Sequence, residues 1–328
     1  MRAAVYEAPG PAADVLRVTE FDAPAPAPGE VRGRVLRHGV NPTDVKRRAG
    51  ARGALPFPRV IPGYDAAGQI EAAGEGVDRA RLGERVWVWE AAHRRWDGAA
   101  AELTCVPASR AMALPESSSW EQGAALGVPA ITAAHSLRLA RPLGGDWVLV
   151  IGGAGAVGAA ATALARHMGA RVIATVRDRE RIVDAEAAGA EAVIAPDLDE
   201  IENAVKEMTG GAGVRCMVDL DLGAHLARSW RWVARNGTIA SFGSASHPTP
   251  ALDWAKFMYR NIALRGVTVF EIPETEKLAA AAMVQDAAEA GRLKPVIDGP
   301  LPLSRIAEAH ERQETGRPRG TICVDLSG

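Results

Sequence analysis

Two textures of hydrophobic and polar positions divide the chain. Up to about Trp120 the apolar runs are short and separated by Pro and Gly, and segments 31–40, 66–73 and 85–89 predict strands of an irregular β-rich region. Segment 23–28, which alternates Ala and Pro, reads as a stiff connector. Beyond Trp120, Ala-rich helical stretches alternate with β-branched runs at 147–151, 171–176, 192–194, 214–219 and 238–242. That alternation predicts βαβ units around a parallel sheet. Segment 262–270 predicts a further strand, 274–290 a helix, and 292–328 short strands with one helix. The expected architecture is α/β: a doubly wound parallel sheet over 124–263, flanked by the two pieces, 1–123 and 264–328, of a discontinuous β-rich domain.

A length of 328 residues agrees with two domains, because one hydrophobic core rarely serves so long a chain. Thirty-eight basic residues against forty acidic ones leave a net charge of −2, which supplies no general attraction to phosphate backbones or anionic surfaces. Neither nucleic acid nor a membrane is an expected partner. The start of the chain lacks the basic and then apolar stretch of a secretory signal, so a cytoplasmic location is expected. The apolar segment 148–165 is interrupted by glycines and does not read as a membrane span. Cys105, Cys216 and Cys323 lie far apart, which predicts core packing rather than a disulfide framework or a thiolate metal cage.

The sharpest local signal is the apolar run ending at Ile151, followed by Gly152-Gly-Ala-Gly-Ala-Val-Gly158 and then a helix-forming stretch. A strand, G-x-G-x-x-G and a helix in this order is the context of a dinucleotide-binding turn. Gly153 permits the tight turn, Gly155 lets a pyrophosphate approach the backbone, and Gly158 lets helix and strand pack closely. Ala156 and Val157 open the helix whose N-terminus would meet the phosphates. At the end of the next strand, where NAD-preferring sites place a carboxylate, stand Val176 and Arg177, with Arg179 and Arg181 close behind. A guanidinium can grip a 2′-phosphate bidentately, so NADPH is the expected cofactor through Arg177 and Arg181. Asp178 is the alternative acidic residue if the strand ends later.

Further segments carry a pattern of their own: Gly39-Val-Asn-Pro-Thr-Asp44, Pro62-Gly-Tyr-Asp-Ala-Ala-Gly68, Gly83-Glu-Arg-Val-Trp-Val-Trp89, Gly123-Ala-Ala-Leu-Gly-Val-Pro-Ala-Ile-Thr132, Thr209-Gly-Gly-Ala-Gly-Val214 and Ala309-His310. With the glycine turn, they resemble the medium-chain dehydrogenase/reductase superfamily, in its zinc-independent quinone oxidoreductase (zeta-crystallin-like) branch. The resemblance implies a GroES-like catalytic domain built from both ends of the chain, a Rossmann domain between, and an active-site cleft where they meet. It implies that Asn41 lines the cleft near the nicotinamide, that Thr132 positions that ring or its ribose, and that Phe242, Gly243 and Ser244 lie beside the cofactor.

Zinc-dependent relatives carry a Cys in the segment around Asn41 and a His at the place of Tyr64; neither is here, and the dispersed histidines and cysteines show no converging set of three ligands. No metal is assigned. Hydride addition without a metal is easiest at a carbon conjugated with a carbonyl, as in a quinone or an α,β-unsaturated ketone or aldehyde. Asn41, Lys46 and Tyr64 form the expected catalytic group, with Asp44, Arg52, Trp89 and Trp96 at the substrate cleft. Lys46 and Arg52 replace tyrosines of the bacterial quinone reductase pattern; Lys46 either stabilises an enolate or cofactor ribose, or is a solvated helix lysine. Trp89 and Trp96 either form an aromatic wall or pack. Asp219 and Asp221 are either an acid–base pair or turn formers, and stay unassigned.

The resulting expectation is an NADPH-dependent, metal-free oxidoreductase acting on quinones or activated double bonds. Alternatives are a dedicated biosynthetic enoyl reductase or reductive cyclase, and an NADPH-binding protein with incidental activity. The resemblance also implies a homodimer formed through the strand around 267–270.

Overall fold

The computed structural model describes residues 1–195, 198–316 and 318–328. They fold as two compact units, Met1–Val128 with Pro295–Gly328, and Pro129–Lys294.

The first unit is β-rich. Strands β1 (Arg2–Val5) and β2 (Arg17–Glu20) pair antiparallel, and β3 (Glu30–Val40), β4 (Asp65–Ala73), β5 (Arg85–Val88), β6 (Leu103–Pro107) and β7 (Ala111–Ala113) follow. Alternation of small and branched side chains along β3 and β4 buries Val31, Val35, Val40, Ala66 and Ile70 on one core with the alanines of β1 and of 99–101. Chain close-packing demands glycine at one crossing: a Cβ on Gly68 would stand 1.9 Å from the Arg34 carbonyl oxygen of the neighbouring strand.

In the second unit β8 (Trp147–Val150), β9 (Arg171–Thr175), β10 (Ala192–Ile194), β11 (Val214–Asp219), β12 (Val233–Ser241) and β13 (Ala263–Gly266) form one sheet, ordered β10-β9-β8-β11-β12-β13. Every pairing in it is parallel. The order reverses between β8 and β11, which makes the C-terminal ends of these strands the ligand-binding edge of a doubly wound sheet. Val148, Leu149 and Val150, and Val172, Ile173 and Ala174, are entirely buried, as strands covered on both faces must be. The chain then returns to the first unit, where β14 (Ile297–Pro302) and β15 (Thr321–Asp325) complete a seven-stranded sheet, β14-β15-β3-β4-β5-β7, with β6 also on β3.

Both boundaries differ from the sequence expectation, the first only slightly, at Val128 rather than 123. The β-rich part was expected to resume at 264, yet the second unit continues to Lys294, because β13 adds to β12 and the helix Glu274–Glu289 packs on the helix Ala156–His167. The strand expected over 262–270 is shorter as well: after Gly266 the chain buries Val267, Val269 and Phe270 in a 3₁₀ turn. No helix among the described residues is long and apolar enough to cross a membrane.

Candidate active site

In the second unit, β8 runs into a turn tied to β9 by Gly152 N–H donating to Thr175 Oγ1 at 3.1 Å and Gly153 N–H to the Thr175 carbonyl at 2.7 Å. A Cβ on Gly158 would lie 2.1 Å from the Gly152 oxygen, and one on Gly153 2.6 Å from Ala174 Cβ. On Gly155 it would meet only the Gly152 oxygen, at 3.3 Å. Gly153 and Gly158 are therefore demanded by packing, whereas at Gly155 a Cβ would need only a shift of a few tenths of an ångström from one backbone oxygen. Gly155 caps the helix Ala156–His167 without a side chain. The first-turn N–H groups of Ala156, Val157 and Gly158 have no acceptor within the helix, and the helix dipole adds a partial positive charge there. This cradle fits the pyrophosphate of a dinucleotide.

Two neighbouring strand ends come to the same edge. Leu220, after β11, places a methyl 2.1 Å from where a Cβ on Gly152 would be, and its carbonyl oxygen lies 2.3 Å from a Cβ on Gly243. Phe242 N–H donates to the Asp219 carbonyl at 3.0 Å, and Leu222 N–H to that of Gly243 at 2.8 Å. Ser244 Oγ donates to the His247 carbonyl at 2.5 Å. Thus Phe242, Gly243 and Ser244 border the glycine turn through Leu220. Thr132 is buried in the helix Val128–Ala140, its carbonyl accepting Ser136 Oγ at 2.8 Å.

The expected arginine pair separates. Arg177 is exposed immediately beyond buried Val176 at the end of β9. Arg181 instead donates through Nη2 to the Ala154 carbonyl at 2.7 Å and through Nε to buried Asp184 at 2.5 Å. A guanidinium already bound to a buried carboxylate and a carbonyl ties the glycine turn to the following helix, so its assignment to the 2′-phosphate is corrected. Asp219 and Asp221 also serve structure. Asp219 Oδ1 accepts His225 Nδ1 at 3.0 Å and the Asp221 N–H at 2.9 Å, while Asp221 accepts from Ser246. Burial lowers the His225 pKa, but the Asp219 hydrogen bond and charge outweigh it and raise the value overall.

In the first unit, Asn41 ends β3's outflow and caps the helix Pro42–Arg48, with Pro at the position where no N–H is needed. Its N–H donates to Asp44 Oδ2 at 2.8 Å, and Asp44 Oδ1 accepts the Gly63 N–H at 2.9 Å. Asn41 Nδ2 donates to Asp65 Oδ2 at 2.8 Å, the oxygen that also accepts the Val128 N–H at 2.8 Å. Asn41, Asp44, Tyr64 and Asp65 are all buried. Burial is the first cause of each pKa shift: Asp44 rises to about 7, Tyr64 to about 12, and Asp65 well above the carboxylate range, with the Asp44 and Glu90 charges adding to the last. The Arg47 guanidinium, 5.8 Å from the centre of the Tyr64 ring, opposes the tyrosine's shift. Lys46 and Arg52 are exposed.

The two tryptophans resolve differently from an aromatic wall. Trp89 is fully buried, with the Arg110 guanidinium 5.3 Å from its ring centre, so its cleft assignment is corrected to packing. Trp96 stacks under Arg59 at 4.8 Å beside Phe21, in a recess with Met1, Glu20 and Asp97 that contains none of the Asn41 group. The residues after β5 form turns, with the Trp89 backbone N–H donating to the Arg110 carbonyl at 3.2 Å and Trp96 set beside Phe21 at the end of β2.

No group of three or more His, Cys, Asp or Glu among the described residues could hold a metal ion. Around Asn41 the donor set is an amide, a phenol that keeps its proton, and carboxylates already bonded to backbone and amide N–H groups. Such a set does not fit the three converging ligands of a catalytic zinc.

Residues 27–116 match the family described as alcohol dehydrogenase GroES-like domain, and 156–285 that described as zinc-binding dehydrogenase. The human quinone oxidoreductase is 31% identical over 316 residues, covering 94% of this chain and 92% of that protein. The chain belongs to the medium-chain dehydrogenase/reductase superfamily, in its zeta-crystallin-like quinone oxidoreductase branch. A mycobacterial quinone oxidoreductase superposes with a TM-score of 0.86 at 31% identity, covering 99% of both chains. A mycobacterial structure complexed with NADPH gives 0.82 at 29% identity and 99% of both chains, and an NAD-dependent alcohol dehydrogenase gives 0.89 at 28% over the whole of both. As a member of this superfamily the chain is an oxidoreductase with a pyridine-nucleotide-binding Rossmann domain and a GroES-like domain. Sequence reasoning passed over Asp65, although Pro62-Gly-Tyr-Asp65 was in view, and Arg47. Their roles depend on contacts across β3, β4 and the Asn41 helix that no spacing along the chain discloses.

Proposed function

We propose that this protein uses NADPH to reduce a quinone or an α,β-unsaturated carbonyl compound without a metal. The observation carrying this reading is a glycine turn shaped for a pyrophosphate and followed, at the end of β9, by exposed Arg177 where a carboxylate would select NADH. NADPH would supply the hydride from its nicotinamide, delivered to the β-carbon of the conjugated system. The backbone of Gly153, Gly155, Ala156, Val157 and Gly158 holds the pyrophosphate. Arg177 pairs with the 2′-phosphate, and Thr132, Phe242, Gly243 and Ser244 border the ribose and ring. On the GroES-like unit, Asn41 and Tyr64 form a fixed neutral floor with Asp44 beneath, while exposed Lys46 and Arg52 offer cations to the developing enolate oxygen. Water completes the reduction by giving a proton to the resulting anion, at the α-carbon for an enone and at oxygen for a quinone, which ends as the hydroquinone.

A homodimer is part of the same proposal. All four residues of β13 are exposed at the sheet edge, beside Trp254, Met258 and Tyr259 at 65%, 48% and 74% exposure. A bare edge strand next to large exposed apolar side chains is suited to pairing with its own copy about a two-fold axis. Three unpaired, buried cysteines suit the reducing cytoplasm. The test follows reduced-nicotinamide absorbance with NADPH, and separately NADH, against quinones, enones and saturated ketones, with and without chelator. Chelator-insensitive oxidation of NADPH by quinones or enones, and none by saturated ketones, is expected. Tight NADPH binding with no turnover across the panel would overturn the reading in favour of a dedicated biosynthetic substrate or a binding role.

A further inference from the structure

One buried oxygen in the GroES-like unit gathers two parts of the chain that the proposed chemistry uses. Asp65, 1% exposed at the first position of β4, receives Asn41 Nδ2 and the Val128 N–H on Oδ2, both at 2.8 Å. Oδ2 already serves as the acceptor of the Val128 N–H, and Asn41 meets it with its NH₂ rather than its oxygen. The second Nδ2 contact, to the Gly39 carbonyl at 3.4 Å, also points back into the protein. Asn41 Oδ1 is left on the side of the Asp44 N–H, which it faces in the capping box of the helix Pro42–Arg48. Val128 is the first residue of the helix Val128–Ala140, which carries Thr132. The preceding residue has no side chain, and a Cβ there would stand 2.0 Å from Asp65 Oδ1. Gly127 therefore leaves the space the carboxylate occupies.

We infer that Asp65 is a positioning residue: its carboxyl group locks the Asn41 amide in one orientation, NH₂ toward Asp65 and oxygen toward the N-terminus of the helix Pro42–Arg48, and anchors the first residue of the Thr132 helix. This rests on the reading that Asn41 borders the reacting centre. With its NH₂ held by Asp65, Asn41 has no donor free for a developing enolate oxygen, so enolate stabilisation falls to other groups and Asn41 shapes the floor of the site.

The experiment compares wild type with Asp65→Ala, Asp65→Asn, Asn41→Ala and Asn41→Ala/Asp65→Ala, using a quinone or enone that the wild type reduces. Asp65→Ala is expected to lower kcat roughly ten- to hundredfold, the scale of a misplaced contact at a reacting centre, with NADPH affinity within about twofold of wild type. Asp65→Asn, which keeps an acceptor oxygen, is expected to recover most of kcat. If Asp65 acts through Asn41, the double variant is no slower than Asn41→Ala. Losses that multiply, or a folded Asp65→Ala with unchanged kcat, overturn the inference. Should Asp65→Ala fail to fold, Gly127→Ala displaces the carboxylate without removing it, and an unchanged kcat there refutes the inference equally. The amide orientation has its own readout, independent of turnover: the Asn41 side-chain NH₂ should exchange slowly in wild type and rapidly in Gly127→Ala. Fast exchange in wild type overturns the inference even if the enzyme is active. Slow exchange in a protein that reduces nothing upholds the geometry while the proposed function fails.

Discussion

Adding one methyl group at Gly155 and at Gly158 should separate ligand binding from folding within a single seven-residue turn. At Gly158 the new Cβ would sit 2.1 Å from the Gly152 carbonyl oxygen, 2.7 Å from its carbon and 2.9 Å from Gly153 Cα, all backbone. Helix and turn must part by about an ångström, an overpacking that costs about 3 kcal/mol, and Ala in a helix returns about 1 kcal/mol of propensity. The net loss of about 2 kcal/mol should lower the melting temperature by roughly 4–8 °C for a domain of this size. At Gly155 the backbone is extended, with φ −79° and ψ 164°, and the Cβ has one neighbour at 3.3 Å, so Ala is tolerated without ligand. There the methyl occupies the space a pyrophosphate would enter. Scanning calorimetry without cofactor and fluorescence titration with NADPH read the two effects. Gly158→Ala should melt early. Gly155→Ala should melt like wild type yet bind NADPH at least tenfold more weakly, a loss of about 1.4 kcal/mol. A ligand-free Gly155→Ala that melts as early as Gly158→Ala, or that binds NADPH normally, would refute the division of roles.

Arg177→Glu should weaken NADPH much more than NADH, measured as the ratio of the two dissociation constants; equal losses would remove Arg177 from the 2′-phosphate. His310 is fully buried, and burial foremost, with His38 and Arg48 nearby, pushes its pKa down from 6.5 to about 3. The unfolded chain takes up this proton below about 6.5 while the folded protein does not, so the stability His310 contributes is intact above that pH and is lost as the pH falls towards 3. Relative to His310→Leu, the wild-type ratio of folded to unfolded protein should fall about tenfold per pH unit between about 6 and 4, as read by urea unfolding; a difference independent of pH would contradict it. Trp254→Asp with Tyr259→Asp should convert a dimer to a monomer in light scattering, and a wild type that is already monomeric at micromolar concentration would end the edge-strand proposal.

Local patterns determined much of this protein. The βαβ alternation, the glycine turn and the position of Arg177 are set by residues within about thirty positions of one another, where periodicity and steric need act directly. The capped helix at Asn41 is equally local, with Pro42 at its first position and Asp44 three residues on, although Asn41 and Asp44 entered the sequence reading only as cleft residues. What the chain by itself left open was settled by contacts between segments far apart in sequence. Arg181 reads as a phosphate ligand until Asp184 and the Ala154 carbonyl are seen to hold it. Trp89 reads equally as wall or core until Arg110 and the strands around it close over the ring. The edge strand moves from 267–270 to Ala263–Gly266 because Val267, Val269 and Phe270 turn inward, which periodicity in a short apolar run cannot distinguish. Asp65 is the clearest case. Its neighbours Asn41 and Val128 lie 24 and 63 residues away along the chain, and only the folded chain brings their two N–H donors onto one buried oxygen, where desolvation makes each hydrogen bond matter.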